Sequence, residues 1–428
     1  MNNRLFDYIE ASPTAYHAVA HTADILRKKG FAELNEGEKW TLGAGKSYFT
    51  TRNGSSLIAF KIPSEDFSGY MMTAAHSDSP SFKIKENAEL SDGKYLRLSV
   101  EKYGGMLCSS WLDRPLSIAG RVMVKKEGGF ETRLVDLSDF SAIIPNVAIH
   151  MNRKANDGTP YNAAVDMLPL FGDGEDEGSL MKRVGETIGC DPLDIITTDL
   201  FLYNRERGAE WGKFITAPRL DDLQCAFASL CAFTESENEN STAVYCLFDN
   251  EEVGSRTKQG AASTFLFDVL NRINSVMGGD GETYMRRIAN SFLVSCDNAH
   301  ALHPNHPEFS DKNHTSLMNG GVVIKYNANQ QYTTDAVSSA LFRLVCEKAN
   351  VPVQSYANRA DMPGGSTLGN IANTKVSLNT VDIGLAQLAM HSALETAGAL
   401  DTGYMAEAMK VFYSSSVRAE ANGGFTLT

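Results

Sequence analysis

Two adjacent glutamates at the end of an apolar run constrain this chain more than any other feature of its sequence. Glu251 and Glu252 follow the apolar residues 243–248, separated from them only by Asp249 and Asn250. Neighbouring side chains of an extended segment point in opposite directions, so the two carboxylates would face different targets. One could bind a metal ion while the other stays free as a base. The segment therefore indicates a catalytic metal site at the end of a strand.

Four other segments bring an aspartate or a histidine to the end of a similar apolar run. They supply His76 and Asp78 after residues 70–75, Asp221 after residues 218–220, Asp297 after residues 292–296, and His391 after residues 387–390. Open α/β sheets place their active sites outside the carboxyl ends of their strands, so we expect these side chains to meet at one edge. Together with the two glutamates they predict the active site of a two-metal hydrolase.

The chain can supply one complete ligand set for a pair of zinc ions. Such a pair needs one shared carboxylate, a further carboxylate for each ion and usually one imidazole for each ion. The predicted set is Asp221 shared, His76 and Asp297 on one ion, and Glu252 and His391 on the other. Glu251 then remains as the general base, which takes a proton from water and returns it to the leaving amine. The carboxylate of Asp78 could accept the other imidazole N–H of His76 and fix its tautomer.

Each of these residues also has a simpler interpretation. A single histidine beside an apolar segment is more often structural, Asp221 could cap a helix, and residues 249–252 could be solvated surface. The glycine-rich residues 361–369 could form a tight loop or a backbone wall beside the metal ions, and they lack the Gly-Lys-Ser/Thr of a P-loop. The chain has neither a Gly-x-Ser-x-Gly nor a His-Glu-x-x-His motif, so two other hydrolase classes lack their signature.

Strands alternate with helical patterns after Trp211, which predicts an α/β fold with helices covering a mostly parallel sheet. We predict helices over residues 222–235, 259–276, 333–348 and 384–399, and strands over residues 243–248, 292–296 and 352–357. Residues 84–213 instead show short alternating runs between turns, typical of a β-rich module. Because His76 precedes this module and the other candidate ligands follow it, we expect 84–213 to be inserted in a catalytic domain formed by 1–83 and 214–428.

The N-terminal third contains two further local signals. Apolar residues recur at helical spacing from Leu5 to about Lys29, and Ser12-Pro13 breaks this pattern once. The turn signal Asn53-Gly54 separates two short apolar runs and predicts a β-hairpin.

The charge balance and the distribution of apolar residues exclude several kinds of partner. The net charge is −13, and no cluster of lysines and arginines offers a footprint for nucleic acid. No run approaches the roughly 18 apolar residues that a membrane span needs. The N-terminal segment has no apolar core of signal-peptide length, so we expect a cytoplasmic protein without a membrane partner. The seven scattered cysteines contain no Cys-x-x-Cys pair, which fits reduced thiols.

Many short motifs occur in a fixed order along nearly the whole chain. They are Ala11-Ser12-Pro13-Thr14, Ala75-His76-Ser77-Asp78-Ser79-Pro80, Pro218-Arg219-Leu220-Asp221, Asp249-Asn250-Glu251-Glu252-Val253-Gly254, Asp297 with Ala299-His300-Ala301 and His303-Pro304-Asn305, Asn327-Ala328-Asn329-Gln330, and Ala389-Met390-His391-Ser392. In this order they resemble the aspartyl aminopeptidase family of zinc metallo-aminopeptidases.

This resemblance implies an enzyme that removes N-terminal residues, preferentially Asp or Glu, from peptides. It implies two divalent metal ions per subunit, Zn²⁺ first and Co²⁺ or Mn²⁺ as alternatives. It also implies a zinc-peptidase-type mixed sheet, interrupted by a β-rich dimerisation domain, and a homo-oligomer in which dimers build a tetrahedral dodecamer. Lys325 matches the family lysine that pairs with the substrate's side-chain carboxylate, and His150 matches a histidine donated to a neighbouring subunit's site.

Three positions depart from the family pattern. Asp222 stands where we expect Asn, Gly364 where we expect Cys, and Asn370 where we expect Pro. None of these changes removes a predicted ligand. Two alternatives to an aminopeptidase of acidic specificity stay open at this point. One is an aminopeptidase of broad or neutral specificity, and the other is a non-catalytic shell or cargo protein that keeps only the fold.

Overall fold

The strands that the sequence predicts over residues 243–248, 292–296 and 352–357 belong to a nine-stranded mixed sheet in the computed structural model, which describes all 428 residues. In spatial order the strands are Ala32–Leu34, Lys46–Arg52, Ser56–Ile62, Thr242–Phe248, Tyr70–His76, Phe292–Cys296, Asn379–Gly384, Val322–Tyr326 and Val353–Ala357. The strands that begin at Thr242, Tyr70, Phe292 and Asn379 are neighbours and run parallel, so their carboxyl ends share one edge.

Helices pack on both faces of this sheet. The chain has nine α-helices, with the bounds Asn2–Glu10, Ala15–Lys28, Ser179–Ile188, Leu220–Glu235, Phe265–Val276, Gly281–Ala289, Ala336–Ala349, Leu368–Ala372 and Asp401–Tyr413. Alternate residues of one strand serve opposite faces, because side chains of a strand point to opposite sides. Tyr245 and Leu247 lie in one hydrophobic core, while Val244 and Cys246 lie in another. The central strands are therefore apolar on both sides.

A second sheet has six strands and its own hydrophobic core, which includes Phe82, Ile118 and Leu200. In spatial order these strands are Gly129–Asp136, Leu116–Lys126, Ile195–Asn204, Ser81–Ser91, Tyr95–Tyr103 and Leu170–Asp173. A third sheet has five strands, in the order Ala209–Trp211, Phe214–Ala217, Glu395–Gly398, Ala386–Leu388 and Ala299–His300. Val417–Ala419 and Phe425–Leu427 form a two-stranded sheet.

The local predictions near the N-terminus are confirmed. The first two helices meet at Ser12 and Pro13, and the strands Lys46–Arg52 and Ser56–Ile62 form the predicted hairpin. Asn53 and Gly54 have φ values of 60° and 66°, as a tight hairpin turn requires.

The helix predicted over residues 384–399 is wrong. This segment contains the strands Ala386–Leu388 and Glu395–Gly398, which pair with each other. Ala389 and His391 between them have φ values of 57° and 66°, which lie outside the right-handed helical region. Pairing within the five-stranded sheet therefore outweighs the helical spacing of the apolar residues.

None of the helices combines the length and the apolarity that crossing a bilayer requires. All seven cysteines are unpaired, and Cys246 and Cys296 are fully buried in strands of the large sheet.

Candidate active site

Three parallel strands deliver predicted site residues to one edge of the large sheet. His76 is the last residue of its strand, and Asp297 directly follows the strand Phe292–Cys296. Glu251 and Glu252 follow the strand Thr242–Phe248. Because these strands are parallel neighbours, the side chains converge at the carboxyl edge, where α/β sheets place their ligands.

Asp221 and His391 reach the same edge from outside the large sheet. Asp221 lies at the start of the helix Leu220–Glu235, after Arg219, which has a φ of 57°. His391 lies in the loop between two strands of the five-stranded sheet. The five predicted metal ligands therefore come together from five separate segments of the chain.

The two carboxylate oxygens of Asp221 face two different histidines. Its Oδ1 lies 3.5 Å from His76 Nε2, which in turn lies 4.0 Å from Asp297 Oδ1. Its Oδ2 lies 3.5 Å from His391 Nε2, which in turn lies 3.3 Å from Glu252 Oε2. We name these groups the His76 position (His76, Asp221, Asp297) and the His391 position (His391, Asp221, Glu252). Asp221 belongs to both.

These donors fit divalent metal ions. One carboxylate oxygen in each of Asp221, Asp222 and Glu252 is buried without a hydrogen-bond partner. Burying an unpaired carboxylate oxygen is costly unless a cation compensates it. At each position the imidazole nitrogen and the carboxylate oxygens lie within 4.8 Å of one another. Zinc takes ligand atoms of these two kinds in catalytic sites. The chemistry of the site therefore fits zinc at both positions.

The concentration of acids changes the proton affinities of the site. Burial alone would lower the pKa of His76, but Asp221 and Asp78 outweigh it and raise that pKa well above its usual value. Burial raises the pKa of Glu251 to about 8 and that of Asp297 to about 6, although Lys325 opposes the second shift. Shifts of this kind, caused by burial and by neighbouring acids, are typical of functional sites.

Glu251 and Glu252 were expected to lie in an extended segment, but they do not continue the strand. Asn250 has a φ of 61°, and Glu251 begins a 3₁₀ turn. The turn still separates the two carboxylates: Glu252 joins the His391 position, while Glu251 lines the cavity beside the site.

Asp78 supports this turn. Its Oδ1 accepts the N–H of Glu251 at 3.1 Å, and its Oδ2 accepts the N–H of Glu252 at 3.2 Å and the hydroxyl of Tyr103 at 2.7 Å. The ring nitrogen Nδ1 of His76 lies closer to the backbone oxygen of Asp78, at 3.0 Å, than to its carboxylate, at 3.5 Å. Asp78 thus orients His76 mainly through its carbonyl and positions both glutamates through its carboxylate.

A cavity of about 290 Å³ opens beside the two positions. Its lining includes Glu251, Asp297, His300, Lys325, Tyr332, Tyr356, His391 and residues 365–367. The cavity is therefore walled by both predicted metal positions and by the glycine-rich segment.

Lys325 is almost fully buried at this cavity, with 2% of its side chain exposed. Its Nζ donates to the backbone oxygens of Asp297 at 2.8 Å and Asn298 at 3.3 Å, and it lies 5.1 Å from the centre of the Tyr332 ring. Asp297 Oδ2 lies 3.6 Å from the ammonium. Two of the three N–H groups are thus directed at carbonyl oxygens.

Sequence reasoning assigned no role to three side chains of the cavity, His300, Tyr332 and Tyr356. The motif Ala299-His300-Ala301 already marked the first of them, but neither tyrosine lies in a distinctive pattern. Tyr332 follows the strand Val322–Tyr326, and Tyr356 lies in the strand Val353–Ala357. The two tyrosines reach the cavity because these strands are neighbours in the large sheet.

His150 does not line this cavity. It is exposed in a turn of the long segment between the strands Gly129–Asp136 and Leu170–Asp173. Met151 beside it is 83% exposed.

Two of the three positions that depart from the family pattern have a structural account. Gly364 has a φ of 66°, and a Cβ there would lie 2.0 Å from Asn358 Nδ2, so a cysteine would force the backbone or Asn358 to move. Asn370 donates its amide to the carbonyl oxygen of Gln330 at 3.2 Å, a bond that proline could not make. Asp222 is fully buried, and its Oδ2 accepts the backbone N–H of His76 at 3.2 Å.

Comparisons with known proteins show the family to which this chain belongs. Residues 8–413 match the family described as "Aminopeptidase I zinc metalloprotease (M18)". A "Probable M18 family aminopeptidase 2" of Clostridium novyi (strain NT) is 44% identical over 424 residues, which cover 96% of this chain and 98% of that protein. The protein of the same name from Pseudomonas aeruginosa (strain PAO1) is 40% identical over 433 residues, covering 97% and 98%.

Solved structures share the fold. A chain in the cryo-EM structure of the Ape4 and Nbr1 complex superposes with a TM-score of 0.93 at 36% identity, covering 96% of this chain and 84% of that chain. The S. cerevisiae mApe1 dodecamer gives a TM-score of 0.84 at 30% identity, with coverage of 96% and 95%. The predicted family and the mixed α/β fold are thus confirmed, and the chain belongs to the M18 family of zinc metalloproteases as a metallo-aminopeptidase.

Proposed function

We propose that this aminopeptidase uses two zinc ions per subunit and prefers peptides with an N-terminal Asp or Glu. The observation that carries the two-ion proposal is the placement of Asp221, whose oxygens each lie 3.5 Å from a different histidine. A carboxylate that serves only one ion would not need a second imidazole on its other oxygen. Co²⁺ and Mn²⁺ are the alternatives that the same donors accept.

When bound, the ions would polarise the scissile carbonyl and acidify a water molecule. Glu251 lines the cavity, and cations bound at the two positions would favour its ionised form, in which it can take the proton of that water. The same residue then returns the proton to the leaving amine. Asp78 fixes Glu251 in this place by accepting its backbone N–H.

Lys325 supports the preference for acidic residues. Its ammonium is buried at the wall of the cavity, and two of its N–H groups are already directed at backbone oxygens. The remaining N–H group can bind a substrate carboxylate, whereas an apolar substrate side chain would leave a buried donor without a partner. This disfavours the alternative of neutral specificity.

We also propose that residues 84–213 form the dimerisation domain and that His150 completes the site of a neighbouring subunit. His150 is exposed and absent from its own cavity, and Met151 beside it presents apolar surface that a partner would cover. The related mApe1 is described as a dodecamer, and we propose the same assembly of dimers for this chain.

The experiment that tests the function measures hydrolysis of the p-nitroanilides of Asp, Glu, Leu and Lys after chelation and after return of Zn²⁺, Co²⁺ or Mn²⁺. We expect release from the acidic pair only, lost on chelation and restored by metal, with two metal equivalents per subunit. Cleavage of Leu in preference to Asp and Glu would discard the acidic specificity. A protein without turnover under any metal would favour a shell role instead.

A further inference from the structure

A buried glutamate outside the predicted ligand set connects the two positions of the site. Glu395 is the first residue of the strand Glu395–Gly398, and it is 2% exposed. Its Oε2 accepts the backbone N–H of Asp221 at 3.0 Å, and its Oε1 accepts the backbone N–H of His391 at 2.8 Å. We infer that Glu395 is a positioning residue that holds the backbones of two metal ligands in register, an inference that rests on the proposed two-ion site.

The strand that carries Glu395 is well placed for this role. It pairs with the strand Phe214–Ala217, where Ala217 lies opposite Glu395, and it pairs with Ala386–Leu388 on its other side. The first neighbour leads to Asp221 and the second leads to His391. One rigid strand thus lies between the two segments that must be aligned.

The segments that Glu395 holds have unfavourable backbone conformations. Arg219, two residues before Asp221, has a φ of 57°, and Ala389 and His391 have φ values of 57° and 66°. Residues other than glycine rarely adopt the left-handed region, and they stay there only where the surroundings enforce it. The two N–H groups that donate to Glu395 lie within two residues of these left-handed positions. The hydrogen bonds therefore oppose relaxation of the backbone toward the right-handed region.

A carboxylate can accept both N–H groups, whereas an amide of the same length cannot. A glutamate offers two acceptor oxygens, whereas a glutamine offers one acceptor and one donor. In Glu395→Gln, the amide NH₂ would face either the N–H of Asp221 or that of His391, and one of these buried donors would lose its partner. The variant therefore removes one bond while hardly changing the volume of the side chain.

A matched control exists in the six-stranded sheet. Glu89 Oε1 accepts the N–H of Leu180 at 2.8 Å, and its Oε2 accepts the N–H of Gly178. Glu89→Gln breaks the same kind of double contact far from the metal positions.

The test compares the wild-type protein with Glu395→Gln and Glu89→Gln by two measurements that need no turnover. The first is amide hydrogen exchange of the metal-free proteins. We expect the amides of Asp221 and His391 to be protected in the wild type, and at least one of them to exchange at least about tenfold faster in Glu395→Gln. Unprotected amides at both positions of the wild type would overturn the inference even if the variant failed to fold.

The second measurement is titration with Co²⁺, followed by its visible absorption. In Glu395→Gln we expect the first equivalent to bind as in the wild type and the second to bind about 10–100-fold more weakly, as for other residues that orient ligands. Glu89→Gln should match the wild type. If both equivalents of Co²⁺ bind to Glu395→Gln as tightly as they bind to the wild type, the inference is overturned. A wild type that binds only one equivalent would refute the two-ion proposal, and the exchange data would still decide the role of Glu395.

Discussion

Lys325 Nζ donates a hydrogen bond to the backbone carbonyl oxygen of Asp297 at 2.8 Å and thereby joins the wall of the cavity to the His76 position. The ammonium also lies 3.6 Å from Asp297 Oδ2, which holds it in one place. A buried cation beside a metal position would otherwise be unfavourable, because metal and ammonium repel each other. The contact with Asp297 offsets this repulsion.

Replacing Lys325 by methionine should remove the acidic preference. We expect kcat/KM for Asp-p-nitroanilide to fall by about 30-fold or more, since the loss of one partner of a buried charge pair costs about 2–5 kcal/mol. The value for Leu-p-nitroanilide should change less. Lys83→Met is the control, because Lys83 pairs with Asp199 in the six-stranded sheet at 2.8 Å. Equal losses for both substrates would assign Lys325 to the metal site and not to specificity.

Glu251→Gln should abolish most of the turnover while leaving the fold and the metal content intact. Glutamine keeps the shape of the side chain but cannot accept the proton, and general base catalysis contributes about 10²–10⁴-fold. Metal analysis and steady-state kinetics on the same sample separate the two effects. A variant with near wild-type kcat would refute the assignment of Glu251 as the base.

Removal of metal should destabilise the protein strongly. Asp221, Asp222, Glu252 and Asp297 are buried acids, and without a cation their charges repel one another or their protons must be retained. An ion at 1,000 times its Kd contributes about 4 kcal/mol, so we expect chelation to lower Tm by roughly 5–10 °C. Differential scanning calorimetry with and without chelator measures this shift.

Asp221→Asn provides the control for that experiment. It weakens the ligand that both positions share, so its Tm should respond much less to chelator. A wild-type Tm that is indifferent to chelation would contradict the presence of a structurally coupled metal pair.

Acidification should destabilise the protein through His17. Burial lowers the pKa of His17 to about 4, an effect that Arg219 reinforces and Asp136 opposes. The unfolded chain binds the proton near pH 6.5, so between pH 6.5 and 4 it holds more protons than the fold, and stability falls as pH falls. At pH 5 the loss is about 2 kcal/mol.

Denaturant unfolding of the wild type and of a His17 variant at pH 7 and pH 5 checks this, since the acids of the site titrate alike in both proteins and cancel in the comparison. His17→Gln retains a hydrogen-bonding side chain beside Thr14, whose hydroxyl oxygen lies 2.9 Å from His17 Nδ1. The variant should lose less stability than the wild type on the same change of pH. A wild type and variant with identical pH dependence would show that His17 titrates normally.

The site residues were accessible to sequence reasoning because strand ends carry a local signal. An apolar run followed by Asp or His marks the carboxyl end of a buried strand, and parallel neighbours bring such ends together. His76 and Asp297 were found in this way. The roles of the metal ligands stay predictions that the experiments above address.

Residues whose function depends on long-range packing gave no such signal. Glu395 lies in a segment whose apolar spacing favours a helix, and only strand pairing with residues 214–217 brings its carboxylate to Asp221 and His391. Likewise, Asp78 was expected to act on His76 alone, whereas its carboxylate accepts two N–H groups from a turn far along the chain. Both N–H groups belong to the 3₁₀ turn Glu251–Val253.

The assembly of the site from five separate segments has a consequence for the life of the protein. His76 precedes the six-stranded sheet in the chain, and His391 lies near the C-terminus. If both histidines bind metal as proposed, a chain still being synthesised would lack part of the peptidase centre, and so would one that has lost its C-terminal part. We therefore expect peptidase activity only after the C-terminal segment that carries His391 has been synthesised and has folded against the rest of the chain.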